Sequence, residues 1–143
     1  MSTNRNLAVL AAAALATALG GCDNKCPTDL AKVTTPPACA TLKADADVTV
    51  VIPVCTRCDQ ATPECAVVPP QGDAVFQLDT TVQVCTARTD CPLDCPLVQP
   101  TATCRFRTPA ASGPYTLRIF QPTGVPTVDI DVTVDPAGPT SCG

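Results

Sequence analysis

Residues 102–134, ATCRFRTPAASGPYTLRIFQPTGVPTVDIDVTV, hold the pattern on which the fold turns. Ala102–Arg107 sets Cys104 and Phe106 against Thr103, Arg105 and Arg107. Tyr115–Phe120 puts Tyr115, Leu117 and Ile119 on one face. Thr127–Val134 sets Val128, Ile130, Val132 and Val134 opposite Thr127, Asp129, Asp131 and Thr133. Such alternation marks half-buried strands, because successive side chains leave a strand on opposite faces. A turn around Ser112-Gly113 and a Pro/Gly turn over Gln121–Pro126 separate the runs. The stretch predicts three consecutive antiparallel strands.

Upstream, Asp47–Val54 places Val48, Val50, Ile52 and Val54 on one parity, with Pro53 suggesting an edge or a termination. Ala74–Thr86 sets Phe76, Leu78, Val82 and Val84 against Gln77, Asp79, Thr81 and Gln83. It reads either as one long strand or, preferred here for want of apolar residues in its middle, as a hairpin turning at Asp79-Thr80-Thr81. Cys55–Pro70 and Thr89–Pro100 are proline-broken and cysteine-bearing, and read as stapled loops. Asp23–Asp47 reads as a tether followed by an irregular segment. Thr28–Lys32 is compatible with one short helical turn but is not assigned one.

The run from Phe106 through Ser112-Gly113-Pro114-Tyr115-Thr116-Leu117 resembles the E-to-F passage of immunoglobulin-like sandwiches, where a tyrosine after a glycine-bearing turn packs at a corner. The chain departs from that family at Leu117, where antibody domains carry their second cysteine, and in having no tryptophan. The resemblance implies an all-β, antiparallel, immunoglobulin-like β-sandwich, here stapled by disulfides.

The N-terminus supplies an address. Met1–Asn6 is polar with one cation, Arg5, and Leu7–Leu19 is an uncharged apolar run of 13 residues. As a helix that run spans about 20 Å, too short for a ~30 Å hydrocarbon core and suited to the apolar region of a signal peptide. It ends in Leu19-Gly20-Gly21-Cys22, which resembles the lipobox of bacterial lipoproteins. The resemblance implies that the Cys22 sulfur takes a diacylglyceryl group, that cleavage falls between Gly21 and Cys22, and that the new amine is acylated, commonly with palmitate. Two or more acyl chains anchor stably where one does not. The implied partner is therefore the membrane, through lipid on Cys22, on the extracytoplasmic side of the bacterial cell envelope.

Composition agrees with a β-rich exported domain. The chain has 143 residues, 16 of them proline, and its aromatic residues are Phe76, Phe106, Tyr115 and Phe120. Each internal proline costs a helix about 3 kcal/mol, so helical architecture is disfavoured. Losing Arg5 with the leader takes the formal charge from −4 to −5, a poor match to nucleic acid or anionic lipid headgroups. Setting Cys22 aside from the 11 cysteines leaves an even set: Cys26, Cys39, Cys55, Cys58, Cys65, Cys85, Cys91, Cys95, Cys104 and Cys142. Five bridges follow in an oxidising compartment, in any of about 945 connectivities.

Catalytic constellations are sparse. The chain has no histidine, which removes the commonest general base and every Ser-His-Asp or Cys-His arrangement. Cys55-x-x-Cys58 has the spacing of a thioredoxin-like redox pair, but it follows a strand ending in proline and precedes an Asp/Pro-rich run. With Cys91 and Cys95 it would supply four thiolates for zinc, an assignment that export to an oxidising compartment disfavours. Asp129 with Asp131, and Arg105 with Arg107, read as solvated strand faces.

The sequence therefore predicts a signal peptide over residues 1–21, a lipidated N-terminus and tether over 22–46, and a disulfide-rich β-sandwich over 47–143. The expected role is a non-enzymatic binding or structural module with no metal or cofactor and with an envelope protein as a candidate partner. Two alternatives stand beside it: a thiol-disulfide oxidoreductase using Cys55 and Cys58, and an inhibitor that meets its partner through the stapled loops at Cys55–Cys65 and Cys91–Cys95.

Overall fold

A computed structural model describes residues 26–85, 89–92 and 94–143. The leader and Cys22 lie outside the described residues. Ten strands and no helix are found among them: β1 Thr28–Leu30, β2 Lys32–Val33, β3 Thr41–Lys43, β4 Asp47–Cys55, β5 Glu64–Val68, β6 Val75–Gln83, β7 Thr101–Arg107, β8 Gly113–Ile119, β9 Val128–Asp135 and β10 Ser141–Cys142.

The strands form two sheets. In the first, β6, β8, β9 and β3 lie side by side, and β5 and β1 also pair with β6. Thr81 is paired with both Glu64 of β5 and Leu30 of β1, so these two strands flank β6 on opposite edges. In the second sheet β4 pairs with β7 along 47–53, with β10 at 49–50 and with β2 at 54–55.

The alternation read from the sequence sets the inner faces. Val48, Val50, Ile52, Val54, Ala102 and Cys104 of the second sheet share one buried cluster with Leu42, Phe76, Leu78, Val82, Leu117, Ile119 and Val132 of the first. Each such Val, Leu or Ile side chain withdrawn from water contributes about 1.5–3 kcal/mol. Phe76 packs against Phe106 across the sheets with ring centroids 4.7 Å apart, and against Tyr115 at 5.7 Å. This small aromatic group closes one end of a core otherwise built from aliphatic side chains.

Several expectations are corrected. The three C-terminal runs are strands, but they are not one antiparallel meander: β7 pairs with β4 in the second sheet, while β8 and β9 pair with each other in the first. The sheets are mixed rather than antiparallel, because β6 with β8, β3 with β9 and β10 with β4 run parallel. Val75–Gln83 is one continuous strand, not a hairpin. Thr80 in its middle is fully buried, and its hydroxyl donates to the Ala31 carbonyl at 3.4 Å, which satisfies the polar group that had suggested a turn.

Pro53 does not end β4, which continues to Cys55. It sits between the short partners β10 and β2, and its carbonyl accepts from the Thr34 amide at 3.2 Å, so its missing N–H disturbs no ladder. The loop expected over Cys55–Pro70 contains β5. The segment read as tether and irregular chain contributes β1, β2 and β3, with Ala31, Val33, Cys39 and Leu42 buried, and no helical turn at Thr28–Lys32. Strands of two or three residues are too short to show alternation, which is why these escaped the pattern.

β1 and β2 belong to different sheets, and the chain crosses between them at Ala31, whose amide donates to the Thr80 carbonyl at 2.8 Å. Leu30 lies opposite Thr81 and Lys32 opposite Cys55, so the C-terminal ends of β6 and β4 lie at one end of the molecule. β8, parallel to β6, finishes there too. The starts of β4, β6 and β8 and the end of β7 define the opposite end.

Candidate functional site

All ten cysteines from Cys26 to Cys142 are paired: Cys26–Cys85, Cys39–Cys142, Cys55–Cys95, Cys58–Cys91 and Cys65–Cys104. Cys65–Cys104 ties β5 to β7 across the two sheets, and Cys39–Cys142 ties the approach to β3 to β10. The other three gather at the end where β4 and β6 finish.

At that end Cys55 and Cys58 are not bonded to one another. Each is joined to a different cysteine of the Cys91–Cys95 loop, with Cα separations of 5.0 and 5.4 Å. The single exchangeable bridge of a thioredoxin-like pair is therefore not formed, and the four sulfurs that zinc would need form two disulfides instead. Among the described residues no group of three or more His, Cys, Asp or Glu side chains is placed to hold a metal.

The two loops expected to be separate staples are thus one doubly bridged unit. Arg57 and Gln60 brace it: the Arg57 amide donates to the Gln60 side chain at 2.7 Å, and the Gln60 amide to the Arg57 carbonyl at 3.1 Å. The Arg57 guanidinium donates to the Asp59 carboxylate at 3.1 Å. Gln60 in turn pairs with Val84, one residue from Cys85 and its bridge to Cys26. Leu97 borders a hollow of about 400 Å³ together with Arg57, Cys58 and Pro92. Leu97 and Val98 are the most exposed large apolar side chains among the described residues, at 105% and 87% relative exposure.

The opposite end carries an open hollow of about 640 Å³ bordered by Pro69, Pro70, Phe76, Arg107, Pro109 and Tyr115. The Tyr115 hydroxyl donates to the Ala111 carbonyl at 3.4 Å, fixing the ring at the rim. Arg107 donates to the Asp45 carboxylate at 2.8 Å and to its carbonyl at 3.2 Å, and lies 3.7 Å from Asp47. Asp45 adopts φ 48°, a left-handed conformation that aspartate tolerates better than most residues, and the Arg107 contacts hold it there.

The exposed faces behave as the alternation implies. Arg118 grips Asp129 through two hydrogen bonds of 2.9 and 2.7 Å, and Thr116 donates to Asp131 at 3.4 Å across the β8–β9 pair. The hydrogen bonds from Arg118, aided by its charge, hold the Asp129 carboxyl below the ordinary range, and Asp129 raises Arg118 reciprocally. The aspartates are thus parts of a cross-strand ladder, not a facing catalytic pair. Arg105, which shares a face with Arg107, borders a different hollow beside Glu64 and Cys65.

Sequence reading named the ten cysteines that pair here but not their connectivity, and missed Leu97-Val98 as a surface feature and the hollow around Tyr115. An apolar pair set between Pro96 and Pro100 in a cysteine loop was the available signal for the first. The second depends on β5, β6, β7 and β8 converging, which no local pattern reveals. No protein-family model, curated protein or solved structure matches this chain.

Proposed function

We propose that the chain is a bacterial lipoprotein of the cell envelope, held on the extracytoplasmic side by lipid on Cys22, whose β-sandwich serves as a non-enzymatic binding or structural module. One observation carries this reading. The ten cysteines after Cys22 bond among themselves in five pairs, which leaves the Cys22 sulfur as the one thiol of the sequence outside the disulfide set. Five bridges also suit an oxidising compartment. An immunoglobulin-like relationship for the sandwich is part of the proposal. It is supported by β7 and β8 lying in opposite sheets around the Gly113–Tyr115 corner, while the parallel β6–β8 pairing departs from that family.

Metabolic labelling with radioactive palmitate tests the anchor. The native chain incorporates label and Cys22→Ser does not; label retained by the variant defeats the reading. Intact-mass measurement before and after reduction is expected to show ten oxidised cysteines, and free thiols among Cys26–Cys142 would remove its main support.

A further inference from the structure

The geometry points to a second membrane contact: we propose that Leu97 and Val98 insert into the interface of the same bilayer that holds the Cys22 lipid. The inference rests on lipidation of Cys22 and adds to it an orientation of the whole domain.

Cys26 is bonded to Cys85, and from Pro27 onward the chain is committed to the sheets: the Pro27 carbonyl accepts from Val84 at 3.0 Å, and Thr28 opens β1. The described chain is thus bonded into the domain from Cys26, four positions after Cys22, within the stretch that the sequence reads as a tether and irregular segment. Four Cα steps from Cys22 to Cys26 reach at most about 15 Å. Whatever end of the sandwich carries Cys26 must sit within that distance of the lipidated cysteine.

Leu97 and Val98 are at that end. Cys85 adjoins Val84, Val84 pairs with Gln60, Gln60 is hydrogen-bonded to Arg57, and Arg57 borders the same hollow as Leu97. Cys55–Cys95 fixes the loop to the end of β4 and Cys58–Cys91 to the turn that follows, and Pro96 and Pro100 restrict the chain on either side of the apolar pair. Two exposed apolar side chains beside a doubly disulfide-bonded loop bear an unfavourable hydration free energy, which burial among acyl chains relieves. The short tether keeps that bilayer within reach. The hollow around Tyr115 consequently faces away from the membrane, toward any partner.

The chain contains no tryptophan, so Leu97→Trp provides a unique fluorophore, with Val98→Trp as a second position and Ala110→Trp on the β7–β8 loop as the control. Each full-length chain is produced in a bacterium with radioactive palmitate, then reconstituted into phosphatidylcholine vesicles with and without brominated lipid. Blue-shifted emission quenched by bromolipid at positions 97 and 98, with position 110 unaffected, is the expected result. Labelled, vesicle-bound protein whose position-97 and position-98 emission stays solvent-like overturns the orientation while leaving lipidation intact. A shift that appears only when envelope proteins are added also overturns it and assigns the pair to a protein partner. Absence of palmitate overturns the lipoprotein reading and this orientation with it.

Discussion

The Gln121 side-chain oxygen accepts a hydrogen bond from the Val33 amide at 3.0 Å, joining residues 88 apart in sequence. β2 has β4 on one side only at this point, and Gln121 supplies the acceptor that a further strand would have given. Both residues are buried, at 7% and 8% exposure, so water is a poor substitute. Gln121→Leu keeps the volume and strands the Val33 N–H. A loss of about 1–3 kcal/mol is expected in urea denaturation. A change within error would mean that β2 contributes little to the second sheet.

Gly138 has no positive φ but no room either: a Cβ there would lie 2.5 Å from the Leu42 carbonyl carbon and oxygen. Those atoms are backbone of β3, which cannot move without loosening its parallel pairing with β9. Gly138→Ala is expected to cost about 1–3 kcal/mol as an overpacking change. It should also speed amide exchange at Lys43, whose amide donates to the Pro139 carbonyl at 2.8 Å.

Cys65–Cys104 closes 39 residues of chain and joins the edges of the two sheets through β5 and β7. In the chain-entropy model a loop of that size contributes about 4 kcal/mol by restricting the unfolded state. The double change Cys65→Ala with Cys104→Val fills the fully buried Cys104 site while removing the crosslink. Thermal unfolding should show a lower midpoint, with the remaining four bridges intact by mass.

The Arg118–Asp129 pair sets a pH dependence whose sign is fixed. The folded carboxyl titrates below its unfolded value of about 3.9. Its contribution is therefore complete above that value and is lost as pH falls through the lower folded value. Stability of the native chain relative to Asp129→Asn should be highest near neutral pH and shrink below about pH 4. The pair is surface-exposed, so added salt should reduce the difference. An advantage that persists unchanged to pH 2 would show that the ion pair is not its source.

How much was legible varies by element. β4, β8 and β9 were readable because seven to nine residues with one buried face leave an unmistakable alternation. β6 was half-legible, since buried Thr80 finds its partner in Ala31, 49 residues away. β1, β2, β3 and β10 hold two or three residues each, and their pairing is made by neighbours rather than by their own pattern. Leu97-Val98 could be seen as apolar but not as exposed, because exposure depends on where Cys55–Cys95 and Cys58–Cys91 carry the loop.

By itself the sequence determined the all-β character, the inner faces of the long strands and a cysteine count, eleven, sufficient for five bridges. Each follows from local chemistry: proline against helices, parity along a strand, and counting. Tertiary structure alone decided which edges meet, that β7 leaves β8 for β4, that the sheets are mixed, and which cysteine bonds which. Strand edges present the same amide and carbonyl groups whatever the residue, and sulfur atoms are chemically alike. Partner choice therefore waits on the packing of distant side chains. That packing also brings Cys26 and Leu97 to one end of the molecule.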